Sequence, residues 1–146
     1  MVVFKKIADL RVDNDYTQIE IAKKLNVKSD TYSKWERGIN VIPLNKLIEL
    51  SNIYNTSLDY MLGITNIKGK YIVNSIDYTA ICNNIKKLRN DYSYTQEFVS
   101  NNINISQRNY SNYESGRRKI KTDTLYNIAM FYKISFDWIC GSKKSK

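Results

Sequence analysis

The sequence contains no histidine and only two cysteines, Cys82 and Cys140. Histidine is a frequent general base and metal ligand, and two cysteines alone cannot complete a structural zinc site, which takes four ligands. No glycine-rich phosphate loop and no paired nucleophile and base occurs either. The sequence therefore predicts no catalytic residue, no metal ligand and no cofactor, and we do not expect an enzyme.

Long apolar segments are missing as well. No run approaches the roughly 18 apolar residues that a transmembrane helix needs, and no secretory signal pattern opens the chain. We therefore expect a cytoplasmic protein without a membrane partner. In that compartment thiols stay reduced, and both cysteines are expected to be small buried hydrophobic side chains.

Positive charge dominates and is unevenly distributed. The 146 residues carry a net charge of +9, which favours an anionic partner such as nucleic acid or an acidic membrane. Residues 1–65 hold nine basic and eight acidic residues, or +1, and residues 66–79 add +1. Residues 80–146 hold twelve basic and five acidic residues, or +7. An anion-binding surface is therefore expected mainly in the second half.

The two halves of the chain resemble one another. Shifted by 78 positions, the sequence aligns with itself without a gap, and 18 of about 60 paired residues are identical. We predict two domains, copy one at residues 1–65 and copy two at residues 78–146, joined by a linker at residues 66–77. The repeated residues include Leu10-Arg11 with Leu88-Arg89, Tyr54 with Tyr132, Ser57 with Ser135, Asp59 with Asp137 and Gly63 with Gly141.

Each copy has the apolar periodicity of five short helices. In copy one, Thr17 and Glu20 form a capping-box pattern at the start of helix two. Helix three is predicted over residues 29–37 and ends at Gly38, and Pro43 precedes helix four. These patterns predict an all-α protein with two tandem five-helix domains. In the linker, the β-leaning run Tyr71-Ile72-Val73 favours a short strand.

Several segments recur at the same spacing in both copies. They are Thr17-Gln18, residues 32–38 (YSKWERG) and residues 58–63 (LDYMLG) in copy one, and Thr95-Gln96, residues 110–116 (YSNYESG) and residues 136–141 (FDWICG) in copy two. On these residues each copy resembles the helix-turn-helix domain of phage repressors and Cro, the Xre-type family. The resemblance implies a lambda-repressor-like fold and sequence-specific binding of double-stranded DNA by a transcriptional regulator.

The resemblance also separates fold residues from DNA-contacting residues. It implies structural ion pairs between helices one and three, formed by Arg11 with Glu36 and by Arg89 with Glu114. In phage repressors, helix three lies in the major groove and its first residues meet base edges. Outward-facing side chains of helices two and three, and of the following loop, are therefore the candidates for DNA contact.

Helix three of copy two begins with side chains suited to reading bases. Ser106 is the expected N-cap. Amide side chains suit adenine, and arginine suits O6 and N7 of guanine. The predicted base-reading residues of copy two are Gln107, Arg108, Asn109 and Asn112. The predicted phosphate contacts are Gln96, at the start of helix two, and the loop residues Arg117, Arg118, Lys119 and Lys121.

Copy one is expected to be the weaker reader. Lys28 stands where copy two has Ser106, so the helix cap is expected to shift to Ser29 or Asp30. Asp30 stands where copy two has Arg108, and a carboxylate near phosphates lowers affinity, although it can accept from cytosine N4. We expect copy one to bind DNA weakly or to serve association. Its candidate contacts are Lys28, Ser29, Asp30 and Lys34 for bases and Gln18 for phosphate.

The arrangement of the two readers stays open at this stage. The segment between the copies, counted from Ile64 to about Asp77 as roughly 14 residues, spans at most about 48 Å at ~3.4 Å per residue. One chain can therefore cover two half-sites about 34 Å apart, and a homodimer is equally permitted. Copy two ends in a short tail, Ser142 to Lys146, so no small-molecule ligand domain is expected.

Other functions remain as alternatives. A protein-interaction module, such as an antitoxin, fits the same fold because fold does not dictate function. RNA binding is disfavoured, since most tyrosines fall on predicted core positions and leave no exposed aromatic platform for stacking bases. Repression is the expected sign of regulation, because no polymerase-activating feature is recognisable.

Overall fold

A computed structural model describes residues 4–69 and 75–141, and over these ranges the chain is all-helical, with no strand. The predicted strand at Tyr71-Ile72-Val73 lies outside the described residues. The helices of the first half are α1 (Lys5–Asp13), α2 (Gln18–Lys24), α3 (Ser29–Glu36), α4 (Leu44–Tyr54) and α5 (Leu58–Met61). Those of the second half are α6 (Tyr78–Asp91), α7 (Gln96–Asn102), α8 (Gln107–Glu114), α9 (Thr122–Tyr132) and α10 (Phe136–Ile139).

The sequence repeat is also a structural repeat. Helices α2 to α5 begin and end 78 residues before α7 to α10, respectively. Helix α6 is longer than α1 because Asp77 caps it earlier, accepting a hydrogen bond from the Ala80 backbone N–H at 3.1 Å. Left-handed backbone recurs at the same offset, for example at Asn26 and Asn104, both with φ of 58°. The prediction of two tandem five-helix units is confirmed.

Local capping signals fix the helix ends of copy one. Thr17 Oγ1 accepts from Glu20 N–H at 3.1 Å, and the Glu20 carboxylate accepts from Thr17 N–H at 3.2 Å, which completes the predicted capping box. Gly38 has φ of +73°, a conformation that glycine adopts without the strain of a Cβ atom. The chain therefore leaves α3 at this residue, as its position after the apolar stripe predicts.

Two local predictions were wrong. The cap of α3 does not shift to Ser29 or Asp30; Lys28 holds the N-cap position with extended backbone and no side-chain cap bond. Helix α3 begins at the position equivalent to the start of α8. Ser29 and Asp30 therefore lie inside its first turn and cannot be its N-cap. Cys82 is half-buried rather than buried, and its thiol donates to the Tyr113 carbonyl at 3.1 Å; Cys140 is buried as expected.

The copies pack directly against each other. Helices α5 and α10 are in contact, and the Phe4 ring meets the Tyr126 ring edge-on with centroids 5.4 Å apart. The hydrophobic core therefore continues from one copy into the other. Its largest fully buried side chains include Tyr32, Leu47, Leu50, Met61, Tyr110 and Phe136. Among the described residues, no helix is both long and apolar enough to cross a bilayer.

Candidate nucleic-acid interface

A bidentate ion pair holds each predicted recognition helix against the first helix of its copy. Arg89 donates to Glu114 from Nε at 2.9 Å and from Nη2 at 2.7 Å, and its Nη1 donates to the Tyr94 carbonyl at 3.0 Å. Arg11 and Glu36 repeat this in copy one, at 2.6 and 3.2 Å. Both ion pairs that the family resemblance implied are thus present. They fix α3 against α1 and α8 against α6.

These carboxylates are structural rather than reactive. Burial opposes ionisation of Glu36, but hydrogen bonds from Arg11, Tyr32 and Gln18 outweigh it and hold its pKa below the ordinary value. The hydrogen bond to Glu36 raises the pKa of Arg11 in turn. Both members are therefore charged near neutral pH, with their charges directed at each other and not at a ligand.

The two predicted phosphate-binding glutamines are partly engaged in the same network. Gln18 Nε2 donates to Glu36 at 2.9 Å, and Gln96 Nε2 lies 3.5 Å from the Glu114 carboxylate. A contact to phosphate would therefore use the second amide hydrogen or the backbone N–H at the helix start. Their role in DNA binding stays a prediction.

The first turn of α8 is free to meet a ligand. Ser106 Oγ accepts from Asn109 N–H at 3.1 Å and so begins the helix at the predicted residue. Tyr110 and Tyr113 fill the inner face and are buried. On the outer face Asn112 is half-buried, whereas the remaining predicted base-reading residues are exposed. The exposed residues are Gln107, Arg108 and Asn109.

The loop after α8 carries four exposed cations around one buried anchor. Ile120 is 4% exposed, and the Arg118 N–H donates to the Asn112 carbonyl at 3.2 Å, so the loop is tied to both the core and α8. Over residues 4–69 and 75–141, no carboxylate lies within salt-bridge distance of the loop cations or of Arg108. The loop cations are Arg117, Arg118, Lys119 and Lys121.

The matching face of copy one carries fewer free cations. Asp30 and Lys34, at the positions of Arg108 and Asn112, form an exposed ion pair at 3.1 Å. Lys28 and Ser29 are exposed at the helix start. The loop that follows carries no charge from Ile39 to Ile42, and Ile39 is half exposed. The structure thus brings the copy-one candidates together but pairs two of them with each other.

An exposed aromatic cluster on copy two was missed by the sequence reasoning. It consists of Tyr92, Tyr94, Phe98 and Phe131, with ring centroids 4.6 Å apart for Tyr94 and Phe98. Tyr92 is 50% exposed and Phe98 44%, so the expectation that no aromatic platform is exposed was wrong. Apolar periodicity assigns aromatic residues to the core.

A comparison of the two copies would have revealed the aromatic cluster. Copy one has Asn14 and Glu20 where copy two has Tyr92 and Phe98. Polar side chains at these positions of copy one indicate that the equivalent positions of copy two are also exposed. As for metals, no group of three or more potential ligand side chains lies together in the described part of the chain.

Comparisons with known proteins identify the family of the two copies. The helix-turn-helix family model matches residues 7–61 and 85–139. The chain is 37% identical over 70 residues to the HTH-type transcriptional regulator ImmR of Bacillus subtilis (strain 168), covering 48% of this chain and 55% of that protein. It is 31% identical over 62 residues to the uncharacterized HTH-type transcriptional regulator YobD of the same strain, covering 42% and 55%.

The aligned segments therefore span about half the length of these curated relatives. No solved structure is significantly similar to the chain. The family model, in contrast, accounts for most of the chain and matches each of the two structural copies separately. The protein belongs to the helix-turn-helix family and carries its domain twice in tandem.

Proposed function

We propose that this protein binds double-stranded DNA sequence-specifically and regulates transcription, with copy two as the main reader. The observation that carries the proposal is the exposed first turn of α8, where Gln107, Arg108 and Asn109 stand beside the loop cations of residues 117–121. In helix-turn-helix docking, this turn meets base edges in the major groove while neighbouring cations contact phosphates.

The contrast between the copies supports the assignment of the main reader. Copy two offers Arg108 and four loop cations, whereas copy one offers an ion pair and an uncharged loop at the same positions. Phosphate neutralisation supplies most of the non-specific affinity for DNA. Copy two therefore contributes the larger part of the binding free energy, and repression by occupation of the site is the expected sign of regulation.

A mobility-shift assay with the full chain tests this proposal. The probe is a random 30-base-pair duplex pool at fixed salt, and the variants are R117Q/R118Q in copy two and K23Q/K24Q in copy one. Both double variants lose two exposed cations, so they are matched in charge. We expect the copy-two variant to bind at least about 10-fold more weakly than the copy-one variant, because cations at the interface release more counterions.

The same assay separates the alternatives. Equal losses in both variants would remove copy two as the main reader. Absence of binding to duplex DNA even in dilute buffer, while the protein is folded, would favour a protein-interaction module. Stronger retention of single-stranded RNA than of duplex would assign the exposed aromatic cluster a base-stacking role and overturn the proposal.

A further inference from the structure

The two copies exchange hydrogen bonds through their last helices. Asp137 accepts from the backbone N–H groups of Leu58, at 2.9 Å, and Asp59, at 2.8 Å, at the start of α5. Asp59 accepts from the N–H of Phe136 at 2.6 Å and from the Ser135 hydroxyl at 2.5 Å, at the start of α10. Because the two aspartates are 78 residues apart, each copy gives the other an equivalent contact, as across a twofold axis.

Both aspartates are buried, so the folded protein needs the hydrogen bonds that they accept. Asp59 is 7% exposed and Asp137 is fully buried. A buried carboxylate is unfavourable unless donors surround it, and here the opposite copy supplies backbone donors to each of them. The interface therefore fixes the copies relative to one another, and they do not move as two independent bodies on a linker.

The loops that follow the two recognition helices also meet at this interface. The Thr122 hydroxyl donates to the Ile42 carbonyl at 2.7 Å, and this hydrogen bond is buried. Ile42 is 2% exposed, and its counterpart in copy two, Ile120, is 4% exposed. The C-terminal ends of α3 and α8 are therefore both connected, through short loops, to one buried contact between the copies.

The length of these loops limits the distance between the recognition helices. Four residues lead from Gly38 to Ile42 and six from Gly116 to Thr122. At ~3.4 Å per residue they span at most about 14 and 20 Å, or about 34 Å together. This upper limit excludes a spacing of the helix ends much greater than one turn of B-DNA, so the two helices can reach only adjacent major grooves.

The two recognition helices carry different side chains at matching positions. Arg108 corresponds to Asp30, and Gln107 corresponds to Ser29. Arginine can donate to guanine, whereas Asp30 is held by Lys34 in an ion pair, so the two helices present different groups to base edges. A site that both helices contact is therefore composed of two unlike halves.

We infer that a single chain binds one non-palindromic duplex site, with α8 in one major groove and α3 in the next, and that the Asp59 and Asp137 contacts set the spacing of the two helices. The inference rests on the proposed DNA-binding function. The surfaces around Asp59 and Asp137 are already paired inside the molecule, so the inferred binding unit is one chain.

Selection and footprinting with the full chain test the inference. A randomised 30-base-pair duplex library is enriched for binding, and the recovered duplex is analysed by hydroxyl-radical footprinting and by the mass of the complex. We expect one chain per duplex, protection facing two successive major grooves, and a motif with unlike halves. Two chains per duplex, a palindromic motif, or protection of one groove alone would overturn the inference and leave the proposed function standing.

Loss of the contact between the copies should make occupation of the two grooves independent. In D137A the α3 side of the footprint should disappear while the α8 side remains, and affinity should fall about 10- to 100-fold because the linker still joins the copies but no longer holds them at a fixed spacing. D91A is the matched control, since Asp91 is an exposed aspartate on α6 that pairs with Lys87 at the surface; both grooves should stay protected.

A second variant covers the case that D137A fails to fold, which far-UV circular dichroism would report. T122V removes the hydrogen bond to Ile42 and touches neither recognition helix. It should weaken protection of the α3 groove more than that of the α8 groove. Failure of every variant and of the parent chain to retain duplex would overturn the proposed function, whereas an unchanged two-groove footprint in folded D137A and T122V would overturn the inference alone.

Discussion

At the scale of single residues, Arg108 is the side chain most suited to selecting a base. It is exposed on the first turn of α8, where an arginine can make a bidentate contact to guanine. We expect R108A to weaken binding to the selected duplex by about 1–3 kcal/mol, or roughly 5- to 150-fold, and to relax preference at one base pair. Fluorescence anisotropy on the selected duplex and its single-base variants measures both effects.

The control lies at the equivalent position of copy one. D30A removes a carboxylate and frees Lys34 from its ion pair, so affinity should stay equal or increase. A larger loss in D30A than in R108A would contradict the assignment of the readers.

Arg118 is predicted to act through charge and not through sequence. It is exposed in the loop after α8, and its backbone is held by the Asn112 carbonyl. Removal of one phosphate contact should reduce the slope of log K against log salt by about 0.9. We therefore expect R118Q to lower affinity for all duplexes alike and to flatten the salt dependence, measured from about 50 to 200 mM salt. An unchanged slope with changed base preference would contradict this role.

The sequence predicted fold residues better than contacts between the copies. Ion-pair residues such as Arg89 and Glu114 could be predicted because the family resemblance implies a structural role for them. The sequence showed Asp59 and Asp137 only as a repeated aspartate two residues after the serine that caps each last helix. An acidic residue in a first turn normally serves its own helix, so nothing in the sequence shows that it reaches the helix of the other copy.

At the scale of secondary-structure elements, copy one has a recognition helix without a side-chain cap. Lys28 occupies the N-cap of α3, whereas Ser106 caps α8. K28S should introduce the missing hydrogen bond and raise the free energy of unfolding by about 0.5–1 kcal/mol. Urea denaturation followed by circular dichroism measures the change, and S106A should shift stability by a similar amount in the opposite direction. A destabilised K28S would show that the cap geometry of the two helices differs.

Helix boundaries could be predicted because local rules and the repeat agree. Thr17 with Glu20, Gly38 and Pro43 each mark an end by a local hydrogen bond or backbone preference. The aromatic cluster escaped because periodicity alone does not separate a half-exposed phenylalanine such as Phe98 from a buried one. The second copy offers the missing information, since Glu20 at the same position lies in solvent.

At the scale of the whole molecule, the interface between the copies should make stability depend on pH. Burial, and the negative charge of Asp59, raise the pKa of Asp137 to about 7, although backbone hydrogen bonds from Asp59 and Leu58 oppose the shift. A carboxyl group whose pKa is higher in the folded than in the unfolded state binds its proton more tightly in the folded protein. Its stabilising contribution is therefore largest at low pH and is lost as the pH rises through the folded pKa.

We accordingly expect the free energy of unfolding to fall as the pH rises from about 5 to about 7, by at most about 1.4 kcal/mol per pH unit. In D137N, which cannot ionise at this position, the decline should be absent. Thermal denaturation at matched ionic strength checks both proteins. Glu36 and Glu114 have lowered pKa values and act with the opposite sign, but below this window. Equal slopes in the two proteins would exclude Asp137 as the titrating group.

Unlike copies also give the bound chain a direction along the double helix. A symmetric dimer turned end for end on its operator is indistinguishable from itself, whereas a chain with α8 at one end and α3 at the other is not. The exposed aromatic cluster belongs to copy two alone, so the orientation of the operator would decide which flank of the promoter it faces. Inverting the operator would then change what neighbouring proteins encounter without altering occupancy.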